Sequence, residues 1–289
     1  MNEVFDATRR PRPETVSRSI TKIKPQRGWT GLDLEAIWTY RELLYFLVWR
    51  DLKVRYKQTV LGASWAVIQP VFTVLIFSVV FGAFAKLPSD GVPYYLNTYC
   101  ALLPWSLFAG AVNRSGTSLV SSSNLISKVY FPRLLVPLSA VMGALVDFAI
   151  SLAVFLLMLA FHRINPGWAL LTVPIWTLMV LMLGLAIGLA LSALNVRYRD
   201  VSYLLNFLLQ IWMYASPVAY AVKIVPAKWL ALYQLNPMVG LIQGFRWALL
   251  GNQSEVGMAW ISSALITLFL LAAALIYFRR VERYFADII

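Results

Sequence analysis

The chain has 289 residues, a formal net charge of +12 and 60% hydrophobic composition, with one cysteine and one histidine. Cys100 alone excludes an internal disulfide, and His162 alone excludes a histidine-based metal cluster. The basic residues sit between long uncharged stretches, which makes the charge a topology signal and an attraction to anionic lipid, not a nucleic-acid footprint.

Residues 1–31 carry Pro11, Pro13 and Pro25 among Ser and Arg, and no apolar segment. They read as a disordered cytoplasmic leader with no secretory signal. Residues 32–57 are helical in character but too charged to span. Trp38, Tyr45, Trp49, Leu52 and Tyr56 share one face, and Arg50, Lys53 and Lys57 gather on another. That pattern fits a helix in the headgroup layer, with a soluble helix packed on a partner as the alternative. Its direct continuation into a span favours the membrane surface.

Six stretches then follow, at about 62–85, 96–112, 134–160, 168–194, 201–222 and 256–278, and the only charge within them is Asp147. A hydrocarbon core roughly 30 Å thick needs about 20 apolar residues of helix. Backbone amides in lipid must be satisfied internally, so these are helices; barrel strands would be shorter and alternating. The expected fold is all-α: a polytopic membrane protein with six transmembrane helices in a 58–283 domain and a cytoplasmic tail at 284–289. Pro70 predicts a kink in the first span, and Pro104 divides the second. Gly184, Gly188 and Ser192 form a small-residue stripe for close helix packing. Residues 229–245 are uncharged but short and broken by Asn236-Pro237. We read about 226–251 as a re-entrant hairpin in the outer half of the membrane, beside a pathway mouth.

Of the 25 Lys and Arg, twenty fall on the side of the N-terminus when the spans are threaded, and only Lys86, Arg163, Lys223, Lys228 and Arg246 fall opposite. Both termini are therefore expected in the cytoplasm. The cytoplasmic link between spans two and three contains Ser121, Ser122, Asn124, Leu125, Ile126, Lys128, Val129 and Tyr130. Its serines and Asn124 can cap a short helix, and exposed Leu125, Ile126, Val129 and Tyr130 would need a protein partner. In the tight turn Asn195 to Asp200, Arg199 and Asp200 are candidates for a surface ion pair. Asp147 faces either a pathway or dimer contact, or a structural bond to a neighbouring helix.

No G-x-x-x-x-G-K-[ST] phosphate loop occurs, so the chain does not itself hydrolyse ATP. No nucleophile–base set or carboxylate pair is available in the spans, so no catalytic residue is assigned. Aromatics concentrate toward the outer half of spans two and five and the hairpin. Each ring suits a lipid belt or packing. Together, Tyr99, Trp105, Phe108, Tyr214 and Tyr220 also suit a conduit in which sugar rings stack and slide. Asn236, Pro237 and Trp247 are the candidate outer gate.

Trp49 to Lys57, Leu61-Gly62-Ala63-Ser64-Trp65 and Gln69-Pro70 resemble the opening of polysaccharide-exporting ABC-2 permeases. Leu103-Pro104-Trp105, Asn124 to Arg133, Asn195 to Asp200, Ser216-Pro217 and Leu235-Asn236-Pro237 are similar to later signatures of that family. The resemblance implies a homodimer enclosing a channel in the inner membrane, paired with two copies of a separate ATPase that binds ATP and Mg. It implies a coupling helix at Ser121 to Val129, an interface helix at 32–57, a gate-like outer hairpin and a lipid-linked O-antigen, capsule or teichoic acid substrate. The alternatives are an ABC-2 permease for a small molecule or lipid, and a membrane-embedded transferase acting on lipid-linked sugars.

Overall fold

The structure is a computed structural model that describes residues 34–57, 64–86, 91–251, 257–282 and 285. The expected leader, 1–31, and all of the expected tail, 284–289, except Phe285 lie outside the described residues. All described elements are helical. The interface segment is two helices, α1 (Leu34–Thr39) and α2 (Arg41–Lys57), separated by a turn at Tyr40. The first span is α3 (Trp65–Phe77), continued by a π-helical segment, Ser78–Phe84. Pro70 has no N–H, so the carbonyl of Ala66 lacks its helical donor. The Ser151 hydroxyl of the neighbouring long helix donates to it at 2.9 Å, which repairs the break.

α4 (Tyr94–Ser121) is the hub, lying against five other helices of the bundle. It runs unbroken through Pro104, so the expected division of the second span does not occur; its 28 residues exceed the expected 96–112 at both ends. After it come α5 (Ser123–Lys128), α6 (Leu135–Phe161), a 3-10 segment Gly167–Thr172 and α7 (Val173–Arg197). The α4–α7 contact depends on missing side chains. A Cβ on Gly184 would lie 2.7 Å from the Ala111 Cβ, and one on Gly188 would lie 2.5 Å from that of Ser115. Between lipid-embedded helices, burial gives little net drive, so this close approach supplies the van der Waals contact that holds the pair.

α8 (Val201–Tyr214) has only 14 residues, about 21 Å of helix, and ends well short of the expected limit at 222. The chain then turns irregularly into α9 (Ala227–Tyr233) and α10 (Pro237–Leu250), and closes with α11 (Met258–Glu282). The stretch expected to form the hairpin, about 226–251, holds two unequal helices. The longer one is a core element: apart from Trp247, every residue of α10 is buried. Gly240 admits it against α11, where a Cβ would collide with the Ala259 carbonyl. By length and composition four of the helical stretches can cross a membrane: Trp65–Phe84, Leu135–Phe161, Gly167–Arg197 and Met258–Glu282. α4 is long enough but carries more polar side chains.

Two apolar clusters divide the core. One, around Leu96, Tyr99, Phe108, Phe155, Leu183 and Phe245, fills the middle and one end. The other, around Leu47, Leu119, Ile126, Leu135, Phe278 and Phe285, gathers the opposite ends of α2, α4, α6, α7 and α11. The segments rich in Lys and Arg therefore meet at one end of the bundle.

Candidate functional site

At the bundle end away from α5, one side chain joins three elements. Asn236 N-caps α10, its Oδ1 accepting from Met238 N–H at 3.0 Å and from Trp212 Nε1 of α8 at 2.9 Å. Its Nδ2 donates to the Ala215 carbonyl and to Ser216 Oγ. Pro237 occupies the first helical turn, where no N–H is needed. Trp247 is half-buried between Trp168 and Trp260. The same end is tied further by Tyr94, which donates to the Ala219 carbonyl, and by Tyr95, which bonds His162 Nε2. The other imidazole nitrogen faces the Met158 carbonyl at 2.8 Å and so carries the proton. Both ring nitrogens of His162 are thus engaged within the chain.

The five conduit candidates separate. Tyr99, Trp105 and Phe108 are 5% exposed or less: Tyr99 donates to the Ser151 carbonyl and packs on Phe155, while Trp105 and Phe108 pack on each other and Phe108 on Trp212. They face the core of this chain and touch no open surface. Tyr220 is half-buried, its hydroxyl donating to the Tyr214 carbonyl. Tyr214 is 57% exposed.

Around Tyr214 lies a stripe that the sequence reading did not assemble. On α8, Tyr203, Asn206, Phe207, Gln210 and Tyr214 recur at three- and four-residue spacing, and all are uncovered by this chain, Tyr203 to 83%. On α4 the incompletely covered face is Ser106, Gly110, Asn113 and Thr117. Asn113 Nδ2 donates to Asn206 Oδ1 at 2.7 Å, so the two stripes meet. Helical periodicity of amides and hydroxyls inside apolar stretches was the available signal; the search for rings passed over it. On its other side α8 borders a separate cavity of about 760 Å³, walled by Leu205, Leu209, Trp212 and Trp229. Those walls suit hydrocarbon, not sugar.

α5 follows α4 after a single residue. Its N-cap is Ser122, without a side-chain cap bond; Ser121 Oγ instead donates back to the Ser118 carbonyl, so the expected serine cap is absent. The apolar face also divides. Ile126 is 7% exposed and Leu125 half-buried in the end cluster, correcting their expected exposure. Val129 and Tyr130 stand free of the chain, Tyr130 to 76%, with Asn124 and Lys128 beside them. At the next turn, Asn195 bridges α4, α7 and α8: its Nδ2 donates to the Gly116 carbonyl and its Oδ1 accepts from Ser202, both at 3.0 Å. No ion pair joins Arg199 to Asp200 among the described residues.

Trp38 of α1 points away from the chain; on α2, Leu47 packs into the end cluster while Tyr45 and Trp49 point away, Lys53 and Lys57 are exposed and Arg50 pairs with Asp51. The far end of α2 reaches Asp147. Arg55 Nη1 donates to its Oδ2 at 2.7 Å, Arg114 of α4 bonds the same oxygen, and the Tyr56 hydroxyl donates to Oδ1. Burial first, then the Asp147 carboxylate, pushes the Tyr56 phenol above its ordinary value, so it remains a donor. Asp147 therefore holds three helices together. No metal-ligating cluster occurs among the described residues.

The family model described as ABC-2 type transporter matches residues 42–250, which includes α2 to α10. The chain is 31% identical over 213 residues to the O-antigen export system permease protein RfbA of Myxococcus xanthus, covering 73% of this chain and 81% of that protein. It is 28% identical over 250 residues to the protein of the same name from Klebsiella pneumoniae, covering 86% and 95%. It is 23% identical over 241 residues to the polysialic acid transport protein KpsM of Escherichia coli, covering 81% and 91%. Because that match covers well over half of the chain, the chain belongs to the ABC-2 type transporter family of membrane proteins.

Proposed function

We propose that this chain is the channel-forming permease subunit of an ATP-driven exporter that moves a lipid-linked polysaccharide across the cytoplasmic membrane. The observation that carries the reading is the joined stripe on α4 and α8. Phenols, amides and hydroxyls alternate there along helices otherwise dressed for lipid. Phenol faces take the C–H faces of sugar rings, and amides replace hydration of the hydroxyls. Lipid would not repay those polar groups. A stripe open along one side needs a second wall, and a second copy of the chain supplies it; the homodimer thus encloses the conduit. The names of the relatives, which describe export of O-antigen and transport of polysialic acid, agree with a polymer of sugars. A small apolar cargo would not use such a stripe.

The energy comes from two copies of a separate ABC ATPase, which hold ATP and Mg and dock on the exposed part of α5. Both termini lie in the cytoplasm with that partner. Because Tyr130 and Val129 contribute little to the fold, Tyr130→Asp and Val129→Asp leave the melting temperature of the permease unchanged. In vesicles containing permease and ATPase, they abolish permease-stimulated ATP hydrolysis. Coupled hydrolysis and export at normal rates in both variants would move the docking surface elsewhere.

A further inference from the structure

Beside Asp147, α2, α4 and α6 enclose a cavity of about 370 Å³, within the roughly 300–1,000 Å³ span of small-ligand clefts. Arg50, Arg55 and Arg114 line it, together with the hydroxyls of Thr117, Ser118, Ser122 and Ser139. Its charges do not balance. Arg50 uses Nε and Nη2 on Asp51, which compensates it. Arg55 and Arg114 share the single carboxylate of Asp147, both through Oδ2. Among the described residues, three guanidiniums thus meet two carboxylates, and one positive charge is left over. Each guanidinium carries five N–H donors in a fixed fork, and only one from each of Arg55 and Arg114 is given to Asp147. An uncompensated charge in a half-buried site is costly, more so in a membrane protein.

We propose that this cavity is an anion site that takes the phosphate group of a membrane lipid. A phosphodiester carries the one negative charge the site lacks. Its oxygens match the guanidinium N–H groups that Asp147 leaves over, whereas the hydroxyls of Thr117, Ser118 and Ser139 are already given to carbonyls of their own helices. The location supports a lipid over a soluble ion: α2 turns Tyr45 and Trp49 away from the protein, and an amphiphile held at that helix presents its headgroup beside Arg55. Two membrane sources carry phosphate, the bulk anionic phospholipid, whose single charge matches the site, and a polyprenyl diphosphate carrier, whose two ionised phosphates exceed it. Filled by either, the site joins α2 to α4 with a bound lipid as the third party.

The test is ligand-dependent melting of the full chain in neutral detergent, with dihexanoyl phosphatidylglycerol as probe and dihexanoyl phosphatidylcholine as reference. The wild type is stabilised saturably by phosphatidylglycerol, and the apparent affinity falls at least about tenfold in Arg55→Gln and Arg114→Gln. Asp147→Asn leaves two uncompensated guanidiniums and tightens binding; this sign is opposite to that of a purely structural ion pair. Arg55 lies on the more exposed partner helix, so its variant decides the matter if Arg114→Gln does not fold. Competition by polyprenyl diphosphate identifies the carrier as occupant, and failure to compete identifies bulk lipid. Unchanged affinity in Arg55→Gln, or binding weakened by Asp147→Asn, overturns the site. The measurement needs neither ATPase nor polymer, so its failure leaves the exporter reading standing, and the converse also holds.

Discussion

Asn236 shows how much one side chain can organise here. Its oxygen closes the first turn of α10 and satisfies the Trp212 indole, while its amide holds the turn after α8. Asn236→Ala removes the cap and leaves a partly buried indole N–H without an acceptor. The expected cost is about 2–4 kcal/mol, measured as a lowered denaturation midpoint in detergent. Asn236→Asp keeps both acceptor contacts and recovers part of that loss. In the sequence, Asn236-Pro237 and Pro104 both read as interruptions of uncharged runs. Only the first acts that way locally. At Pro104 the surrounding helices enforce continuity, because α4 is buried on nearly every side at that level.

At the scale of elements, the rings of α4 and α8 have different duties although both looked like conduit candidates. Trp105→Leu leaves a cavity beside Phe108 and should cost about 1–3 kcal/mol, with reduced protein level. Tyr214→Leu touches nothing in the core, so stability should stay within about 0.5 kcal/mol. If Tyr214 stacks on sugar, each contact is worth about 0.5–1.5 kcal/mol by analogy with aromatic pairs, and export slows roughly two- to tenfold. Tyr214→Phe should export normally. Equal export by Leu and Phe variants at matched expression would confine the conduit to the amides and hydroxyls. Composition located these helices, because an uncharged run is a physical requirement of lipid. It did not identify the open face of each helix. Burial depends on neighbours more than fifty residues away, as Tyr99 and Phe155 illustrate.

Among the described residues, the segments that carry most of the basic side chains meet at one end, and the turn at Arg163 lies at the other. Cys100 is fully buried and silent, so single cysteines can report sidedness in intact cells. Arg163→Cys should react with an impermeant thiol reagent applied outside, and Arg199→Cys only after permeabilisation. Reaction of both from outside would break the expected arrangement of the termini. The overall helical class and the family were legible because ordered motifs cover most of the chain. The short α8 and the buried α10 were not. Both are uncharged, and an uncharged helix packed inside protein has the same composition as one facing lipid.

α4 has a mechanical consequence. It runs about 42 Å without a break, is tethered by Tyr94 at one extremity, and passes into α5 through one residue at the other. A push on α5 therefore has no slack to take up before it is felt at the far end. If a partner docks on α5, any displacement it delivers meets a single continuous helix that ends at the Tyr94 tether.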